Sequence, residues 1–140
     1  MFLFHRSSVQ ARSRLRALHA LSKIFLRENS SEARGLRLLR KWLSSEQRAQ
    51  FDAKRHFDVL GCDSGRRYRI CYGVMSNVLE IDAAGSPKVG WCFVPAGRLV
   101  VGDIMLAQKI ALETNEFGAL AVAHSFLPKE RPSNVCVPRW

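Results

Sequence analysis

The feature that most constrains this chain is a change of hydrophobic period near residue 56. Before it, apolar residues recur every three to four positions, the period of a helix with one buried face. After it, they alternate in short runs divided by tight-turn residues, the period of half-buried strands. Helices followed by hairpin-linked strands predict an α+β fold.

The strands are predicted at 57–61, 67–72, 77–82 and 88–94. Asp63-Ser64-Gly65-Arg66 turns between the first two, and Pro95 stops the last. A register follows by pairing Ile70 with Leu79, which sets Tyr68 opposite Ile81, Arg69 opposite Glu80 and Arg67 opposite Asp82. Leu79 then meets Trp91, Val59 meets Ile70 and Phe57 meets Tyr72. One face becomes Phe57, Val59, Ile70, Tyr72, Leu79, Ile81, Trp91 and Phe93. The other carries Asp58, Arg67, Arg69, Glu80, Asp82 and Lys88. A slip of one residue would undo both patterns.

The apolar face needs a cover. Asp103 suits a helix start, and 104–124 reads as a helix with a narrow polar stripe of Gln108, Lys109, Glu113 and Glu116. A narrow stripe implies deep burial. Gly118 is the expected break. Ahead of the sheet, 34–55 is helical: Leu36, Leu39 and Leu43 form a stripe with Trp42 beside it, and Ser44 with Gln47 has capping-box spacing. Residues 1–33 read as one basic amphipathic helix, with Ala11, Leu15, Leu18, Ser22 and Phe25 on one spacing and Leu21 beside them, ended by Asn29-Ser30-Ser31. The expected architecture is a four-stranded antiparallel meander with one face covered by a long C-terminal helix, preceded by basic amphipathic helices. It divides into a helical arm (1–33), a single α+β domain (34–127) and an irregular tail (128–140).

Charge follows the same boundary. The 140 residues carry a net charge of +10. Residues 1–56 hold 13 Lys+Arg and 4 Asp+Glu, while 57–140 hold 9 and 8. The basic half therefore calls for an acidic partner. The candidate contacts are Arg12, Arg14, Arg16, Lys23, Arg27, Arg34, Arg37, Arg40 and Lys41. Arg66, Arg67 and Arg69 add a weaker sheet contribution.

No apolar run approaches the ~20 residues of a membrane span. The opening Met1-Phe2-Leu3-Phe4 stops at His5-Arg6, too short for a secretory signal. A cytoplasmic location is expected, with Cys62, Cys71, Cys92 and Cys136 as reduced thiols. The first 27 residues lack acidic side chains. That composition equally suits a nucleic-acid arm, an organelle transit segment in a eukaryotic source, or a reading-frame extension.

Candidate chemistry is sparse. The cysteines lie 9, 21 and 44 positions apart, without Cys-x-x-Cys spacing, so no metal site is expected. Asp63-Ser64-Gly65 resembles the surroundings of a serine-protease nucleophile but is better explained as a hairpin turn. His5, His19, His56 and His124 are scattered. Glu113 and Glu116 lie one turn apart beside Lys109, the mark of a solvated face. No glycine-rich phosphate loop is present, and no cofactor is expected. The sheet aromatics Tyr68, Tyr72, Trp91 and Phe93 are expected in the core rather than stacked on bases.

The segments Gly61-Cys62-Asp63-Ser64-Gly65-Arg66-Arg67-Tyr68-Arg69-Ile70 and Gly102-Asp103-Ile104-Met105-Leu106-Ala107-Gln108-Lys109-Ile110-Ala111-Leu112-Glu113, with Trp42-Leu43-Ser44-Ser45-Glu46-Gln47-Arg48 ahead of them, together resemble a family of small uncharacterised bacterial proteins. The likeness covers roughly 36–124 and implies a bacterial cytosolic context, with no established activity. The functional expectation is a non-enzymatic protein-interaction or regulatory module. Its basic helix would meet an acidic protein, a second copy or an anionic membrane surface. The alternative is a DNA- or RNA-binding protein that contacts phosphates through the same helix.

Overall fold

The computed structural model describes the backbone of residues 3–128 and the side chains from Gln10 onward. The expected tail lies outside the described residues except for Pro128. Among those described, the elements run α1 (Leu3–Glu28), α2 (Ser31–Trp42), α3 (Ser45–Lys54), β1 (His56–Leu60), β2 (Arg67–Cys71), β3 (Val78–Ile81), β4 (Pro87–Cys92), α4 (Val101–Thr114), α5 (Glu116–Val122) and β5 (His124–Phe126). The fold is α+β with an antiparallel sheet. The chain divides between Arg34 and Gly35 into two compact units.

The first unit is α1 and the start of α2. The Asn29 backbone N–H and side-chain amide both donate to the Phe25 carbonyl, at 3.1 and 2.9 Å, closing α1. The Ser30 hydroxyl accepts from Ala33 N at 3.2 Å and opens α2. α1 therefore ends at Glu28, at the Asn29-Ser30-Ser31 segment expected to end it, because these two side chains satisfy helix-end groups on both sides.

In the second unit, α3 begins at the expected capping box. Gln47 N donates to Ser44 Oγ, and Ser44 N to Gln47 Oε1, both at 3.1 Å. The strands form one sheet in the order β1-β2-β3-β4-β5, each antiparallel to the next. The meander thus has five strands, not four. The helix expected over 104–124 would have reached the start of β5, but α5 stops at Val122 and the chain returns along β4.

The expected register fails at each pairing tested. Ile70 pairs with Val78, not Leu79, and Phe57 pairs with Ile70, not Tyr72. Trp91 also meets Val78. The β1–β2 ladder is displaced by two residues, which keeps the same side chains on the core face. At both ladders of β3 the displacement is one residue, because Val78 and Leu79 are adjacent apolar residues and the β3–β4 ladder is irregular between Glu80 and Ile81, so no single alternation describes the strand. Val78 takes the core position expected for Leu79 and is fully buried. In the β1–β2 ladder Arg69 stands directly opposite Asp58 and pairs with it, Nε to Oδ1 at 2.9 Å, rather than with Glu80. Glu80 instead lies 3.7 Å from Arg66.

The core is Phe57, Val59, Tyr68, Ile70 and Val78 from the sheet, with Leu39, Phe51, Met105, Leu106, Leu112 and Ala119 from the helices and Leu43 from the turn between α2 and α3. The cover is therefore shared by α2, α3, α4 and α5, not supplied by one long helix. α2 approaches α4 through two glycines: a Cβ on Gly102 would fall 2.3 Å from the Gly35 carbonyl carbon. The cover helix also breaks earlier than expected. Asn115 leaves helical geometry, and its side chain accepts from Gly118 N at 3.2 Å to start α5. Asp103 lies inside the first turn of α4 and makes no cap; Val100 holds that position.

Candidate functional site

The candidate basic residues divide between the two units. Arg12, Arg16, Lys23 and Arg27 recur at intervals of four, seven and four along α1, which places them on one helical face. All four are exposed, as is Arg14. The other face of α1 presents Leu15, Leu18, Leu21, Phe25 and Leu26, each 61–66% exposed. Such side chains in a helix of a folded protein ordinarily meet another surface.

On α2, Arg34 and Lys41 are exposed, and Arg37 has a partner. Arg40 is ion-paired with Asp52 of α3 and donates Nη2 to Oδ2 at 3.0 Å. Part of the charge counted on α2 is therefore already neutralised within the fold. Trp42 is 60% exposed beside it.

The body assembles a second cluster that the sequence reading missed. Glu116, expected on a solvated stripe, is fully buried. Its carboxylate accepts from Asp63 N at 2.9 Å, Ser64 N at 2.8 Å and Tyr68 Oη at 2.6 Å, and from the Ser64 hydroxyl. Gly61 lies directly beside it, where a Cβ would fall 2.2 Å from the carboxyl carbon. Burial raises the Glu116 pKa, but the bonds from Ser64, Tyr68 and the two backbone N–H groups outweigh it and hold the carboxyl down to about 2. Burial, then the carboxylate, push the Tyr68 phenol well above its ordinary value.

The loop is stitched to the α4–α5 junction at further points. Cys62 N donates to the Leu112 carbonyl at 3.1 Å, and Phe117 N to Asp63 Oδ2 at 3.0 Å. Every acceptor position of Glu116 faces a donor, so Ser64 and Glu116 act as a structural lock between hairpin and helices. The signal in the sequence was Gly61 ahead of the turn, together with Asn115 ahead of Glu116.

Gln108, also expected on the solvated stripe, is 4% exposed. It exchanges two 2.9 Å hydrogen bonds with Asn77, and Asn77 donates also to the Cys71 and Gly73 carbonyls. Lys109 and Glu113 form an i,i+4 pair at 2.5 Å, but they too are partly buried, with side chains 13% and 33% exposed, rather than on a solvated face. His56 is 3% exposed with both ring nitrogens unpartnered. Burial, then Arg69, lower its pKa below 6.5, against the pull of Asp58. Cys62 and Cys92 are free thiols, but Cys71 is buried and disulfide-bonded, so the expectation of a reduced thiol fails at that position. Cys136 lies outside the described residues. Among the described residues, no group of three His, Cys, Asp or Glu could hold a metal, and no helix is long and apolar enough to cross a membrane.

No family model matches the chain, and no curated protein or solved structure was found to be similar to it.

Proposed function

We propose that this protein is a cytoplasmic, non-enzymatic interaction module whose binding element is α1. One observation carries the reading: α1 exposes a row of large apolar side chains on one face and an arginine- and lysine-rich face opposite. An exposed apolar patch of this kind marks an interaction site. Within the body, the polar groups best suited to chemistry are committed to structure. The Glu116 carboxylate is saturated by its donors, and the Ser64 hydroxyl is spent on it.

The test uses the full-length chain with Arg12, Arg16, Lys23 and Arg27 changed together to Gln. Binding to an anionic ligand should weaken at least tenfold, and the wild-type affinity should fall steeply with salt. Affinity unchanged by the substitutions would overturn α1 as the binding element. Nucleic acid retained through purification, and lost in the variant, would select the phosphate-binding alternative.

A further inference from the structure

We propose that α1 lies in the headgroup layer of an anionic lipid bilayer, with its apolar face toward the acyl chains. This deepens the reading of α1 as the binding element and rests on it. A helix that splits Lys/Arg from Leu/Phe, with low overall hydrophobicity, is built for the membrane interface. On α1, Leu15, Leu18, Leu21, Phe25 and Leu26 form the apolar side, and Arg12, Arg16, Lys23 and Arg27 the cationic side. No carboxylate occurs in the first 27 residues to weaken attraction to anionic headgroups.

The competing partners fit less well. A nucleic-acid duplex would be met by the cationic face, leaving five apolar side chains in water. A second copy would bring equal positive charges together. It would also bury Arg14, which lies one turn before Leu18 on the apolar side, and an unpaired guanidinium is costly to bury. At a bilayer surface the Arg14 stem lies along the apolar boundary while its guanidinium reaches the phosphates. With 26 residues, α1 is about 39 Å long at 1.5 Å per residue. No described helix is long and apolar enough to cross a membrane, so α1 lies on the bilayer rather than through it.

The experiment is cosedimentation of the full chain with phosphatidylcholine vesicles, with and without phosphatidylserine. Binding should be at least tenfold tighter to the anionic vesicles. Leu18→Glu and Phe25→Glu should each weaken it roughly tenfold, and Arg16→Glu with Lys23→Glu should abolish the preference for anionic lipid. An unchanged unfolding midpoint shows that each variant still folds. Equal weak binding to both vesicle types, or binding indifferent to Leu18→Glu, overturns the proposal. The same variants are tested against a DNA duplex and for self-association. Duplex binding lost with Lys23→Glu, or a dimer lost with Leu18→Glu, in the absence of vesicle binding, overturns the lipid partner and keeps α1 as the binding element. If no probe binds through α1, both readings fail.

Discussion

The first helix and the α+β body treat their side chains in opposite ways. α1 leaves Leu15, Leu18 and Phe25 in water. The body takes a glutamate, a glutamine and an asparagine out of water and gives each its hydrogen bonds. Satisfied buried polar groups fix a unique structure, whereas an uncovered apolar face adds nothing to the stability of an isolated chain. The contrast separates where this protein spends its sequence on shape from where it spends it on contact.

Four experiments break or sharpen that contrast. The largest effect belongs to Glu116. Glu116→Ala leaves Asp63 N, Ser64 N and the Tyr68 hydroxyl without their acceptor, and should lower stability by about 3–5 kcal/mol in urea unfolding. Tyr68→Phe removes one bond of the four and should lose ~1–2 kcal/mol. A loss under ~1 kcal/mol for Glu116→Ala would mean that the lock does not hold hairpin to helix.

Acid should act in two steps. His56 has a folded pKa below 6.5, so below that pH the unfolded chain binds a proton that the folded chain refuses, and stability falls. Glu116 has a folded pKa of about 2 against an ordinary 4.5. Its contribution is complete above 4.5 and is lost as pH falls toward 2. Unfolding midpoints across pH should resolve both, and His56→Leu should leave only the lower step.

A smaller effect tests the register. Asp58 and Arg69 are partly buried, each side chain 15% exposed, and a double-mutant cycle should give a coupling of roughly 1 kcal/mol. The cycle between Glu80 and Arg69 should give about zero; the reverse result would restore the pairing expected from sequence. The smallest effect is on α1. Leu18→Glu should leave the unfolding midpoint of the body within ~0.5 kcal/mol of wild type. A larger loss would mean that α1 is part of the core, and the contrast would collapse.

The fold class was legible in the sequence because the change of period at residue 56 is a local signal. The capping box at Ser44 and Gln47 was legible for the same reason. The register of β3 was not, since it offers Val78 and Leu79 in succession and its ladder is irregular, so alternation pointed one residue away; the β1–β2 pairing lay two residues away, a shift that alternation cannot detect because it keeps the same face. β5 was hidden because His124-Ser125-Phe126 is too short to show a period. Glu116 and Gln108 were misplaced for a different reason. Helical periodicity assigns polar residues to water, yet their partners Ser64 and Asn77 come from loops 52 and 31 positions away, beyond the reach of any local pattern. The exposure of the α1 apolar row was equally illegible, because a helical stripe looks the same whether or not the fold supplies a cover.

The three residues of β5 have a consequence for how the protein survives at high concentration. Without them, β4 would end the sheet and offer its backbone groups to any passing strand. β5 takes up that ladder, pairing Phe126 with Gly90, and a Cβ on Gly90 would fall 2.2 Å from the Phe126 ring. The glycine thus keeps a socket for the aromatic ring, and a very short segment serves as a guard against strand-to-strand aggregation. Gly90→Val should therefore show itself first in turbidity on storage, through a sheet edge left open.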